Sequence, residues 1–363
     1  MVKRTVESYL EQLGYDYTLL GKERSPIDSV APIDKGTFNH LSFCSSDDYE
    51  GLQSILSSSS GTILCKKSLA ERIHQKNKFF SNSIPKLYVF VDNPRLVFIK
   101  IVKLMKDHND NREGISKHAI IADSAKIGRN SYLGDLAIVG EECIVGENTI
   151  IDSRVVLKNT IVGNNCTLQS GCIIGEDGFA FERDKKDMKL EKFPHYGKVI
   201  IENDVEIFTN CSIARGSITN TVVEEGTKID ALCHIAHNVH IGKNAQITAG
   251  VVVGGSTIIG NNCWLGLNST IKHKLKIGNS VIVGSGSSVI HNVEDKDIVA
   301  GNPAKSIKYK ISISDDKLFL MGGQSNENRN KEHRFMLRKK DYSIRLKGLT
   351  YLNILIGTFL TTI

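Results

Sequence analysis

From Val223 to Val289 every sixth residue is a branched aliphatic: Val223, Ile229, Ile235, Ile241, Ile247, Val253, Ile259, Leu265, Ile271, Ile277, Val283 and Val289. A half-buried strand alternates with period two and an amphipathic helix repeats about every 3.6 residues, so neither accounts for a strict six. A six-residue period is the mark of a hexapeptide β-helix, in which short strands stack coil upon coil. Each aliphatic is expected to point into a prism-shaped core. The glycine that often follows, as in Ile241-Gly242 and Ile277-Gly278, is expected to ease the corner.

The same period begins at Ile121 and runs through Ile127, Leu133, Val139, Val145 and Ile151. A five-residue step to Val156 resets the phase, and Val162, Leu168 and Ile174 follow. Residues 175–198 are charged and cannot fill core slots, so they read as a loop ejected from the solenoid; such loops are usually functional or interfacial. The period resumes at Ile201, Ile207 and Ile213 and slips near Ile218 before the unbroken run.

Residues 1–108 lack the period. They mix helix-like stretches (6–13, 67–76, 94–105) with strand-like ones (59–65, 86–91), as in a small α/β domain, and the polar segment 108–116 reads as a linker. The predicted architecture is therefore mainly β. An N-terminal α/β domain (1–108) precedes a left-handed parallel β-helix of hexapeptide repeats (117–305, with the ejected loop 175–198), and a helical C-terminal tail (306–363) follows.

Composition changes this picture little. A net charge of +6 over 363 residues is compatible with acidic partners and falls short of a nucleic-acid-binding signature. Of eight cysteines, Cys143, Cys166, Cys172, Cys211, Cys233 and Cys263 each stand four residues after a core aliphatic, where a small hydrophobe fits. No CxxC pair occurs, which suits a reducing compartment rather than a disulfide framework. The polar N-terminus, with Glu7 and Glu11, does not resemble a signal peptide, and the expected location is cytoplasmic. The apolar run 349–363 has 15 residues, fewer than the roughly 20 that span a bilayer, and follows a basic stretch. It reads as a helix packed on a neighbouring subunit or domain, with peripheral contact to the inner membrane as the alternative.

Three hexapeptides make one triangular coil, so residues eighteen apart stand above one another. His237 and His273 are 36 residues apart, both two residues after a core aliphatic, with Gly255 between them and His291 one coil further on. At the roughly 4.8 Å spacing of neighbouring strands the first two lie about 10 Å apart along one groove, with room for a slender ligand at Gly255. Histidine suits general-base work on an amine or hydroxyl because it titrates near working pH. Such a base commonly needs a carboxylate or carbonyl to fix its tautomer, and Asp230 and Asp177 are both candidates. His234, His237 and His240 invite a zinc reading, but their hexapeptide offsets turn them in different directions. A third histidine five residues after the pair would suggest a carbonic-anhydrase-like metal site, and Gly278 stands there instead. No metal and no bound cofactor are expected.

At residues 175–181 (GEDGFAF), 193–199 (FPHYGKV) and 229–239 (IDALCHIAHNV) the chain resembles the UDP-3-O-(3-hydroxyacyl)glucosamine N-acyltransferases of lipid A synthesis. The resemblance covers roughly residues 35–305. It implies that His237 is the general base, His273 the second functional histidine and Asp230 the aspartate upstream of the base. It also implies that Phe43, Ser46 and Tyr49, within a uracil-binding-like segment at 41–49, contact the nucleotide. Residues 93–98 match as well. Asp177, Phe179, His195 and Asn238 are then substrate-binding residues, and Gly255, Gly284 and His291 hold the acyl donor. The implied assembly is a homotrimer with sites between subunits. The implied co-substrate is a phosphopantetheine thioester on an acyl carrier protein, and the acceptor is the 2-amino group of a nucleotide sugar.

Ser46 and Asp47 stand where the family usually has asparagine and proline, and residues 285–288 are small where a long acyl chain would be bounded. A second reading is therefore an acyl-coenzyme A-dependent N-acyltransferase acting on another nucleotide-linked amino sugar of a surface polysaccharide. A third, of a different class, is a non-catalytic trimeric solenoid that only binds.

Overall fold

The computed structural model describes residues 4–21, 26–77, 86–106, 112 and 114–307. Residues 308–363 of the expected helical tail, and residues 108–111 and 113 of the expected linker, lie outside them. The chain divides into two compact units, Met1–Asn111 and Arg112–Ile363.

In the first unit the strands Thr18–Leu20, Leu87–Val91, Thr62–Lys66, His40–Phe43 and Ser29–Val30 form one sheet in that order. All neighbours are parallel except the first pair. Every residue of Leu87–Val91 is buried because alternate side chains enter two different cores: Leu87, Val89 and Val91 on one face, Tyr88 and Phe90 on the other. The helices Val6–Leu13, Tyr49–Ser57, Ala70–Asn77 and Pro94–Lys106 belong to this unit. Gly14, in the left-handed conformation at φ 67°, ends the first, and the Asp48 carboxylate caps the second by accepting the Gly51 N–H at 2.7 Å.

The second unit is a left-handed parallel β-helix with three sheets of nine, eight and eleven strands, one on each side of the coil. Partners in the unbroken run stand eighteen residues apart, as in Ile235 with Val253 and Val253 with Ile271. All twelve aliphatics of the run are buried in one continuous core with Cys143, Cys166, Cys172, Cys211, Cys233 and Cys263. Each of these thiols is free, and burial holds those of Cys166 and Cys263 up at about 11, which suits an inert packing role.

The structure corrects several details. The phase break comes one hexad later than counted: Leu157, six residues after Ile151, is the buried position, Val156 is only half-buried, and the five-residue step is Leu157 to Val162. The first coil starts before residue 117, because Gly114–Ile115 pairs with Tyr132–Leu133. The boundary at residue 306 is no break in structure either, since Lys305–Ser306 forms an antiparallel strand on Ile298–Ala300.

The glycine after each aliphatic serves close approach, not the corner. A Cβ on Gly128, Gly254 or Gly260 would lie 2.5, 2.5 and 2.6 Å from the next coil's backbone. The corner itself falls two residues later, in the left-handed region. Asn130, Asn148, Asn238, Asn244, Asn262 and Asn268 occupy it with φ between 53° and 58°. Asparagine tolerates that conformation better than other side-chain-bearing residues.

The ejected segment leaves after the strand Ile173–Glu176 and returns at Val199–Ile201, so it spans residues 177–198. It carries its own antiparallel hairpin, Phe181–Arg183 with Leu190–Lys192. A second excursion lies nearby: ten residues separate Ile213 from Val223, four more than one hexad. The two excursions pack together, because a Cβ on Gly197 would collide with the Thr219 carbonyl oxygen.

Candidate active site

The strands His234–Ile235, Val252–Val253, Thr270–Ile271 and Ser288–Val289 are successive neighbours of the nine-stranded sheet. The residues two beyond each core aliphatic therefore form the expected column His237, Gly255, His273 and His291. A cleft of about 650 Å³ opens along it, lined by His237, Gly255 and His273 and by residues at the start of the 177–198 excursion, among them Asp177, Gly178 and Phe179. His291 and Gly284 are not among its lining residues; Gly284 follows a strand of the eleven-stranded sheet, at a different corner.

Two glycines enclose the His237 ring. A Cβ on Gly178 would meet His237 Cβ and Cδ2 at 2.8 Å, and one on Gly255 would meet Cε1 at 2.8 Å and Nε2 at 2.9 Å. Any side chain at either position would displace the ring. His195, only 7% exposed, comes from the far end of the excursion and stands edge-on to His237, with ring centroids 5.8 Å apart. His195 Nδ1 donates to the Phe193 carbonyl oxygen at 2.9 Å, and its buried Nε2 has no hydrogen-bond partner among the described residues. Burial, and then the neighbouring His195, push the His237 imidazole below its ordinary value. A base with that environment stays neutral at working pH.

Neither candidate carboxylate hydrogen-bonds His237. Asp230 directly follows the strand Lys228–Ile229 of the eleven-stranded sheet, and its Oδ1 accepts the Ala231 N–H at 2.7 Å. Asp177 lines the cleft, but its carboxylate accepts from Lys192 Nζ at 2.6 Å and lies 4.0 Å from Arg215 Nη1. The Lys192 bond, chiefly, holds Asp177 below the usual carboxylate range. The partner of His237 Nδ1 is the Asn238 side-chain amide, whose Nδ2 lies 3.2 Å away.

Several contributors escaped the sequence reading. Arg215 Nε donates to the Gly197 carbonyl oxygen at 2.6 Å and its backbone N–H to Glu176 O at 2.9 Å, so one residue ties both ends of the excursion to the coil. Lys272 and Lys274 flank His273 in the cleft, and His234 joins His237 there from the outward slot of the same coil. His240, by contrast, lies on the next sheet against Glu224 at 2.6 Å. The only available signal was the slip near Ile218, which marks the bulge carrying Arg215. Among the described residues no three His, Cys, Asp or Glu side chains form a set able to hold a metal ion.

The nucleotide-contact candidates fall in the first unit. The half-buried Phe43 ring packs on Phe98, centroids 4.7 Å apart, which brings segments 41–49 and 93–98 together. Tyr49 opens its helix 64% exposed, and Ser46 lies against Gly51, where an added Cβ would meet it at 2.8 Å. Asp47 pairs with Lys66 Nζ at 3.5 Å.

Known proteins bear on this arrangement. A family model described as bacterial transferase hexapeptide (six repeats) matches residues 220–255, the segment that holds both His237 and Gly255. The chain is 37% identical over 271 residues to the UDP-3-O-acylglucosamine N-acyltransferase of Dechloromonas aromatica strain RCB, covering 70% of this chain and 73% of that one. It is 52% identical over 138 residues to UDP-3-O-acylglucosamine N-acyltransferase 2 of Legionella pneumophila strain Philadelphia 1. That match covers 38% of this chain and 40% of the relative's length. Among solved structures, the UDP-N-acetylglucosamine O-acyltransferase of Moraxella catarrhalis RH4 aligns at 23% identity with a TM-score of 0.49, covering 68% of this chain and 96% of that one. No helix among the described residues is long and apolar enough to cross a membrane.

Proposed function

Since the chain belongs to the UDP-3-O-acylglucosamine N-acyltransferase family, we propose that it moves an acyl group from a carrier-bound thioester to the 2-amino group of UDP-3-O-acylglucosamine, with His237 as general base. The observation that carries this reading is the enclosure of the His237 ring between Gly178 and Gly255 in a cleft shared with His273. The amine attacks the thioester carbonyl and His237 takes one of its protons. The tetrahedral intermediate then expels the carrier thiolate, which receives that proton as the amide forms. A ring held neutral by burial need not lose a proton to solvent before that step.

Lys272, His273 and Lys274 give the far end of the cleft a basic character that suits the phosphate of a phosphopantetheine arm. Outward-facing Ile120, Ile173 and Val252 on one sheet and Ile144 and Ile258 on the next support assembly through the flanks of the prism. A homotrimer is the proposed state, and its mass in solution is the check.

The test is a donor-by-acceptor turnover screen on the full chain. It crosses 3-hydroxyacyl-carrier protein and short acyl-coenzyme A with UDP-3-O-acylglucosamine and a panel of other nucleotide amino sugars. Turnover with the carrier protein and UDP-3-O-acylglucosamine is expected. Turnover only with coenzyme A and another amino sugar would reassign the chain to polysaccharide synthesis, and none with any pair would favour a binding solenoid.

A further inference from the structure

Asn238 sits at a left-handed corner where asparagine is common in this coil, so its presence alone says nothing about the site. Its side chain does. At the corners below, the amides bond one another up the stack: Asn130 Nδ2 donates to Asn148 Oδ1, and Asn148 Nδ2 to Asn165 Oδ1. Asn238 turns instead to the bulge that interrupts the period between Ile213 and Val223. The Ser217 backbone N–H donates to Asn238 Oδ1 at 2.7 Å, and Asn238 Nδ2 donates to Ser217 Oγ at 2.7 Å. The first of these bonds fixes which end of the amide is oxygen, because a flipped amide would set N–H against N–H. The second Nδ2 hydrogen is then directed at His237 Nδ1, the two nitrogens lying 3.2 Å apart. An amide nitrogen only donates, so Nδ1 accepts, and a neutral imidazole that accepts at Nδ1 carries its proton on Nε2.

We infer that Asn238, locked by Ser217, is a positioning residue that sets the resting tautomer of His237, with Nδ1 bare and Nε2 protonated beside the gap at Gly255. The free chain thus presents an N–H donor to whatever first fills that gap, and its first partner there is a hydrogen-bond acceptor. To accept a proton at Nε2, the ring must first move its own proton to Nδ1, and Asn238 must turn its amide away. This gives the Arg215–Asn220 bulge a role in the proposed reaction: it holds the base in its waiting form until the site is occupied. The inference takes His237 as the base of that reaction.

The charged and titratable groups around the ring come from every neighbouring element. His195 stands against it from the excursion, and Glu176 and Asp177 from the strand end where the excursion begins. His234 lies on its own coil, and Lys272, His273 and Lys274 lie two coils on. None of these is hydrogen-bonded to Nδ1, so the tautomer rests on Asn238.

The test is solid-state ¹⁵N NMR of the full chain labelled at histidine and held above the histidine titration range, with His237 assigned by the signals lost in His237→Gln. The wild type is expected to show a protonated Nε2 and a bare Nδ1. Asn238→Asp keeps a residue that tolerates the corner and places an acceptor against Nδ1; it is expected to reverse the tautomer and move the acidic limb of kcat/KM to higher pH. A protonated Nδ1 in the wild type overturns the inference even if the variant does not fold, and so does an unreversed tautomer in a folded Asn238→Asp. The tautomer is read without turnover, so an inactive chain with the expected spectrum would sink the reaction and leave the positioning role standing.

Discussion

His195 and His237 stand edge to face, ring centroids 5.8 Å apart and planes at 79°, although 42 residues separate them in sequence. After burial, the nearness of His195 lowers His237. Replacing it by glutamine removes a group whose charged form would oppose protonation of His237. The acidic limb of the kcat/KM profile is therefore expected to move to higher pH in His195→Gln, and a shift to lower pH would contradict the pairing.

His237→Ala is expected to lower kcat by about 10²–10⁴-fold, the range for loss of a general base, while the circular dichroism spectrum and oligomer mass stay unchanged. Retention of more than roughly a tenth of wild-type activity would remove His237 from that role.

Gly255→Ala places a methyl group 2.8 Å from His237 Cε1, a side-chain atom that can move aside. Stability is expected to change little, but activity is expected to fall up to about 10²-fold, because a misplacement near 1 Å can cost that much. A fully active Gly255→Ala would mean that the ring position does not matter.

Stability should also report the half-buried His237. The folded chain protonates His237 at lower pH than the unfolded chain, whose histidines titrate near about 6.5. Above that pH the ring is neutral in both states. As pH falls toward the folded value the unfolded chain takes the proton first and stability is lost. Denaturant titrations on either side of this interval are expected to show a larger loss in wild type than in His237→Gln, and equal losses would argue against a lowered value.

Arg215→Met removes the Nε bond to the Gly197 carbonyl oxygen and the approach to Asp177. The excursion is expected to open more often, which limited trypsin digestion reads as faster cleavage at the exposed Lys185, Lys186 and Lys189. Cleavage at the wild-type rate would mean that the hairpin is held without it.

The register of the coil can be tested where counting and structure disagree. Leu157→Ala removes a fully buried side chain and is expected to cost about 2–5 kcal/mol, whereas Val156→Ala on the outer face should cost well under half of that. The opposite order would restore the phase read from the period. Val156 and Leu157 are both aliphatic and adjacent, so at that one step the sequence supports either register. Only the pairing of Leu157 with Ile174 decides between them.

The sequence by itself determined the coil, because a six-residue repeat of branched aliphatics has one economical burial solution and its corners demand small or left-handed residues. It also determined the histidine column, since stacking at eighteen residues follows from the period alone. It did not determine what touches His237. Gly178 and His195 arrive through an excursion with no period, and Ser217 and Arg215 through a bulge whose only trace is a phase slip. Their contacts depend on where two irregular loops fold back onto a regular surface. The expected carboxylate partner gave way to an asparagine amide for the same reason. Which group meets Nδ1 is set by the loop that fixes the Asn238 side chain, and loop geometry is decided by packing across distant segments rather than by any local repeat.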